Sequence, residues 1–212
     1  MQTNAKLATK PASCGNYPHG CCAMLHNRAD HDGYIPMIVV LVRHLAADIG
    51  AGICYGRMDM PLRQDSLADI PRLAAEICAH SIGRVWTSPA ARCRVLADAI
   101  AAIAGTSPII DPRLQELNFG KWEGLAWDAI PRSEIDRWVA APLSFAPPGG
   151  EGGQEFLDRM QEIHEVICAV GEDCVVVSHG GPLKVLTALL QGNTPDLHAS
   201  APAFGSVAII TC

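Results

Sequence analysis

The apolar pattern of the chain changes character at Met37. Residues 1–36 show neither an alternating nor a helical apolar period, which predicts a poorly ordered N-terminal extension. Met37-Ile-Val-Val-Leu-Val42 is a continuous apolar run rich in β-branched side chains, the pattern of a strand covered on both faces of a parallel sheet. A glycine-containing loop follows over residues 48–56. Ser66 is placed to cap a helix reaching about His80, with Pro71 as an early interruption. Arg84 to Thr87 is a short strand. Pro89 opens a helix that continues to about Ile103 and stops at Gly105. Ile109-Ile110 is a further short strand, and Trp122–Ile130 and Ser133–Ala140 read as helical. After a loop over 142–153, Gln154 to Ala169 is an amphipathic helix with Phe156, Leu157, Met160, Ile163 and Ile167 on one stripe. Cys174 to Ser178 is a second buried strand, Leu183 to Leu190 a helix, and Val207 to Thr211 a last strand. Strands alternating with helices predict a three-layer α/β/α fold with a mostly parallel central sheet, in one domain over residues 37–212.

Composition narrows the function classes. With 49% hydrophobic and 18% charged residues, the chain can bury a sizeable core. A formal net charge of −6 argues against non-specific nucleic-acid binding, which needs a basic face, but leaves a small anionic substrate open. No apolar run is long enough to span a bilayer, and the N-terminus lacks the apolar core of a secretory signal, so a cytoplasmic protein without membrane contact is expected. The nine cysteines are odd in number and scattered, as in a reduced protein that uses cysteine mainly as a small core residue. Cys14, His19, Cys21, Cys22, His26 and His31 cluster in the extension, but no pair has the spacing of a known zinc ligand set, and the segment reads as a solvated tail.

Ligand sites of parallel α/β sheets form beyond the carboxyl ends of the strands. His44 and His179 both stand there, at the exits of the two most apolar strands, one beside Arg43 and the other before Gly180-Gly181. The strand Arg84–Thr87 exits into Ser88-Pro-Ala-Ala-Arg92, which puts Arg92 in the first turn of a helix. Arginine there opposes the helix dipole, a conflict that an anion bound at the helix N-terminus would relieve. Glu116 lies in an extended stretch where Leu114, Glu116 and Asn118 alternate.

At these positions the chain resembles the histidine phosphatase superfamily, also called phosphoglycerate mutase-like. The resemblance covers roughly Met37 to Cys212. It rests on Leu41-Val-Arg-His44, Thr87-Ser-Pro-Ala-Ala-Arg92, Leu114-Gln-Glu-Leu-Asn-Phe-Gly-Lys-Trp-Glu-Gly124, Pro147-Pro-Gly-Gly-Glu151 and Val177-Ser-His-Gly-Gly181, in that order. It implies a phosphoglycerate mutase-like fold, His44 as the nucleophile that becomes phosphohistidine, Arg43 and Arg92 as phosphate ligands, His179 completing their pocket, and Glu116 as proton donor and then base. These residue types suit the chemistry. A phosphoryl transition state spreads charge over three oxygens. Arginine answers that charge with a permanent cation and a planar fork of donors. A neutral imidazole nitrogen can attack phosphorus. No carboxylate cluster of metal-binding type is present, so no metal or other cofactor is expected. The family usually has glycine or another small residue after the nucleophile; here it is Leu45.

Gly52-Ile-Cys-Tyr-Gly-Arg-Met-Asp-Met-Pro-Leu62 resembles a segment of the α-ribazole-5′-phosphate phosphatases of cobalamin synthesis, which places Tyr55 and Arg57 as candidate substrate contacts. The segment between Glu116 and His179 is short beside that of the mutases, which favours hydrolysis. The competing readings are a phosphatase for another sugar phosphate or nucleotide, a phosphoglycerate mutase, and a phosphate-binding member with little or no turnover. The expected partner is a small phosphorylated substrate; a homodimer paired through the last strands is left open.

Overall fold

The computed structural model describes residues 36–80 and 82–212. The N-terminal extension and its cysteine and histidine cluster lie outside the described residues, Pro36 excepted. Five strands, β1 (Ile38–Arg43), β2 (Arg84–Thr87), β3 (Ile109–Ile110), β4 (Cys174–Ser178) and β5 (Val207–Thr211), form one sheet in the order β3-β2-β4-β1-β5. The first four run parallel, and β5 pairs antiparallel with β1 along one edge.

The β-branched runs form strands because both of their faces are buried. Val40, Val42, Val85, Val175 and Val177 point to one side, against Leu73 and Ile77 of α2 (Ile70–Cys78) and Leu96 and Ile100 of α3 (Ala91–Ala104). Val39, Leu41, Trp86 and Val176 point to the other, against Met160 and Ile163 of α5 (Gly153–Val170) and Leu183 and Leu186 of α6 (Gly180–Leu190). Each fully buried aliphatic side chain stabilises the fold by about 1.5–3 kcal/mol, so two-sided burial outweighs any local preference of these short segments. The three-layer arrangement read from the sequence is the one observed.

Two local expectations are corrected. The helix expected from Ser66 to His80 is two helices, α1 (Gln64–Leu67) and α2. Ser66 lies inside α1 rather than capping it, and Pro71 sits in the first turn of α2, where a missing N–H costs no helical hydrogen bond. The stretch Trp122–Ile130 is not helical. It begins at the end of one 3-10 turn, Gly120–Trp122, and holds a second, Trp127–Ala129, and Gly124 between them has φ of 87°, outside the helical range. Its order comes from a separate small core of Cys54, Trp122 and Ile130, covered by Phe119, Trp138 and Phe145. The 9-residue helix α4 (Arg132–Ala140) supplies Trp138, on which Trp127 stacks at 6.1 Å between ring centroids.

The described cysteines are all free; Cys54, Cys93 and Cys174 are buried, whereas Cys168 is exposed. Among the described residues no helix is long and apolar enough to cross a membrane.

Candidate active site

The register of the parallel strands assembles the site. Arg43 on β1 is level with Ser178 on β4, and Val177 on β4 is level with Thr87 on β2, so the three strands end together. His44 and His179 are the next residues on their chains. The His44 N–H donates to the Ser178 carbonyl (3.0 Å), and the two rings meet edge to face with centroids 5.1 Å apart. Ser88 leaves β2 beside them, its N–H bonded to the Val177 carbonyl (3.1 Å), and α3 brings in Arg92. The Ser178 hydroxyl donates to the Leu114 carbonyl (2.7 Å) and ties the segment carrying Glu116 to the same rim.

His44 is 1% exposed. Its Nδ1 lies 2.6 Å from the Leu45 carbonyl oxygen, which can only accept. The proton is therefore on Nδ1, and Nε2 keeps its lone pair. Burial lowers the ring's pKa from 6.5 to about 3; the charges of Arg92 and Arg43 push the same way, against the opposing effect of the Leu45 hydrogen bond. Leu45 departs from the family pattern without narrowing the recess. Its side chain packs into the core with Val40, Val42 and Leu62.

The two arginines present charge without a close carboxylate. Arg92, 1% exposed, donates to the Gly56 (2.6 Å) and Met58 (2.8 Å) carbonyls, and the nearest acid, Asp59, stays 3.9 Å away at the edge. Arg43 lies with its guanidinium carbon 3.9 Å from the Phe204 ring centroid and donates from Nη1 to the Pro202 carbonyl. Among the described residues no acid lies within ion-pair distance of Arg43, and the Nε atoms of Arg43 and Arg92 are buried with no hydrogen-bond partner. Buried donors of this kind normally find an acceptor. An oxyanion between the two guanidinium groups would supply one and offset their mutual repulsion.

His179 lines the recess, but both of its ring nitrogens face protein partners. Nδ1 is 3.1 Å from Nη2 of Arg92 and Nε2 is 2.8 Å from the Ser88 hydroxyl. A guanidinium only donates, so Nδ1 accepts and the Nε2 proton goes to Ser88. The ring is neutral, its pKa lowered well below 6.5 chiefly by burial and next by Arg92. In this state His179 aims Arg92 rather than offering a nitrogen to a ligand, a finer division of work than the sequence suggests.

Glu116 closes the group. One carboxylate oxygen accepts from the Gly181 N–H (3.1 Å) and the other from the Leu117 N–H (2.9 Å). Glycine at 181 leaves room for this carboxylate, since a β-carbon there would collide with it and push it aside. Arg43, His44, Arg92, Glu116 and His179 thus line one recess of about 150 Å³, together with Ile53, Tyr55, Trp127 and Phe204. Arg57 lines an adjoining recess that shares Arg92, Glu116 and His179, and it bonds to Glu151 rather than facing His44. Sequence reasoning missed Ser88, Trp127 and Phe204 as parts of the site. Ser88 lies inside a motif already singled out. Trp127 and Phe204 sit in irregular segments with no period to mark them.

The buried neutral histidines make stability depend on pH. Both rings ionise near 6.5 in the unfolded chain and much lower in the fold, so below pH 6.5 the unfolded state binds more protons. Their contribution is complete above pH 6.5 and is lost as pH falls toward the folded values. In phosphate-free buffer the unfolding free energy should drop by about 2 kcal/mol per histidine between pH 7 and pH 5. Urea titrations at the two pH values check this, and equal stabilities would contradict neutral burial of the pair.

Comparison with known proteins agrees with this geometry. The family profile described as histidine phosphatase superfamily (branch 1) matches residues 39–211. The chain belongs to the histidine phosphatase superfamily. It is 30% identical over 181 residues to a glucosyl-3-phosphoglycerate phosphatase of Mycolicibacterium vanbaalenii, an alignment covering 74% of this chain and 76% of that one. Among solved structures, the fold matches the α-ribazole phosphatase of Shigella flexneri with a TM-score of 0.74 at 23% identity, covering 82% of this chain and 89% of that one. It also matches YhfR of Bacillus stearothermophilus with a TM-score of 0.71 at 27% identity, covering 82% and 90%. The chain is thus a phosphatase of this superfamily with a phosphoglycerate mutase-like fold, as the sequence motifs imply.

Proposed function

We propose that this phosphatase hydrolyses a small phosphomonoester through a phosphohistidine on His44, and that the substrate is α-ribazole 5′-phosphate, an intermediate of cobalamin synthesis. The observation carrying the mechanism is a neutral His44, with Nδ1 held by Leu45 and Nε2 free, in a recess that also contains a buried guanidinium group, Arg92, and a half-buried one, Arg43, both lacking close carboxylates. Nε2 attacks phosphorus, and the phosphorus–oxygen bond to the leaving group breaks as that oxygen takes a proton from the Glu116 carboxyl. The ring then carries the phosphoryl group and a positive charge, which the Leu45 carbonyl stabilises at Nδ1–H. Water next attacks phosphorus, Glu116 takes its proton, and the nitrogen–phosphorus bond breaks to restore His44 and release phosphate.

Two observations support the substrate. The segment Gly52–Leu62 carries the resemblance noted above, and Tyr55 from it lines the recess. Trp127 and Phe204 line it too, both more than a third exposed. Such faces suit the flat apolar base of α-ribazole. The name of the Shigella flexneri neighbour is consistent with this choice but rests on likeness of fold.

A substrate panel in EDTA tests the proposal. The kcat/KM for α-ribazole 5′-phosphate should exceed that for phosphoserine or 3-phosphoglycerate by about tenfold or more, what one aromatic contact of about 1.4 kcal/mol gives. Equal values would overturn the substrate, and turnover appearing only with added magnesium would overturn the metal-free mechanism.

A further inference from the structure

The stretch from Gln115 to Phe119 carries the carboxyl group of the site, yet it belongs to no helix or strand. The side chain that makes the most bonds to it reaches over from α5. Arg159 donates from Nη1 to the carbonyls of Arg113 and Gln115 (the latter at 2.7 Å) and from Nη2 to that of Glu116 (3.1 Å). Its remaining donors meet the Glu151 carboxylate in a two-pronged pair, at 2.6 Å from Nε and 2.9 Å from Nη2. The two side chains are only 12% and 10% exposed. Arg57 adds a second, longer contact, with Nε 3.4 Å from the Glu116 carbonyl and Nη2 3.3 Å from Glu151. Glu151 also accepts from the Asn118 N–H (3.4 Å), and its own N–H donates to the Asn118 carbonyl (2.9 Å).

We propose that Arg159, locked by Glu151, is a positioning residue that fixes the Glu116 carboxyl where it can protonate the leaving oxygen. The proposal rests on the reading of Glu116 as proton donor. An unsupported five-residue extended segment samples many backbone states, and proton transfer requires the donor within hydrogen-bond reach of its acceptor. A planar fork that binds backbone carbonyls on one side and a carboxylate on the other confines that segment in a way a flexible ammonium cannot. Arg159 lines neither the recess containing His44 nor the adjoining one; its hydrogen bonds reach the site through the Glu116 segment, and its charge adds a smaller, longer-range push on His179.

Leaving-group chemistry separates this role from a merely structural one. An alkyl phosphate releases a poor leaving group that must be protonated, whereas p-nitrophenyl phosphate releases an acidic phenol that need not be. Arg159→Met should lower kcat/KM, which reports phosphoryl transfer to His44 and not the later attack of water, about a hundredfold on α-ribazole 5′-phosphate or glycerol phosphate and less than about threefold on p-nitrophenyl phosphate, within the range for losing general acid catalysis. Glu116→Gln should show the same split, and Arg159→Met added to Glu116→Gln should cost nothing further on the alkyl substrate. Arg159→Lys should recover part of the loss. Equal losses of Arg159→Met on both substrate types, or no loss on either, would overturn the proposal. If Glu116→Gln itself shows no split, the proton-donor assignment fails first and the positioning role falls with it. Should Arg159→Met not fold, Glu151→Gln keeps the arginine but frees it, and the expected split is then about tenfold; its absence would count against the proposal equally.

Discussion

His44→Ala should reduce kcat by a factor on the order of 10⁵ or more, the scale seen when a covalent catalyst loses its nucleophile. Among the described residues no other nucleophile of comparable strength is aimed into the recess. His179 faces Ser88 and Arg92, and the nearby Cys93 thiol is pushed up to about 12 by burial, which keeps it protonated. The same variant should leave no protein-bound phosphate when the reaction is stopped with denaturant at alkaline pH. Wild type should retain label there and lose it on mild acid treatment, as a phosphoramidate does. Activity within tenfold of wild type in His44→Ala would refute the assignment outright.

Arg92→Met should lower kcat/KM by about 10³, consistent with losing one donor group aimed at developing transition-state charge. The loss should appear in ground-state binding too, because the phosphate is already a dianion before reaction, so the inhibition constant of inorganic phosphate should rise in parallel. The variant should also unfold more easily, by about 2–4 kcal/mol. The Gly56 carbonyl and Nδ1 of His179 each lose their donor at a buried position, and the Met58 carbonyl at a part-buried one. Phosphate inhibition unchanged from wild type would show that Arg92 only braces the loop at residues 56–58. The arginine is set in the first turn of α3 against the helix dipole, and in the structure that apparent misfit is what puts its charge beside His44 and His179.

These effects concern residues that were legible in the chain before any coordinates. His44 and His179 stood out because buried parallel strands announce themselves as unbroken β-branched runs, and polar residues directly after such runs have to lie at the sheet's rim. The stripe of α5 was equally plain, since Phe156, Met160, Ile163 and Ile167 are all buried as the helical spacing requires, with Leu157 partly buried beside them. Trp122–Ile130 was misread because its aromatic residues pack for bulk rather than period. Phe119, Trp127 and Trp138 meet ring against ring, an arrangement fixed by tertiary contact alone. Phe204 was invisible for another reason. It comes from the irregular segment before β5, whose place beside Arg43 is set by the antiparallel pairing of β5 with β1 and by the bond from the Gly205 N–H to the His44 carbonyl. The hold of Arg159 on Glu116 spans 43 positions of sequence and leaves no local trace.

The level ending of β1, β2 and β4 has a consequence for how such an enzyme can diversify. The two histidines are anchored to the ends of the central sheet, while Tyr55, Trp127 and Phe204, which line the recess, ride on loops and a 3-10 turn outside the α-helices and the sheet. Exchange of those stretches can hand one unchanged reaction to a new clientele, so the appetite of a lineage can drift while its chemistry stays put.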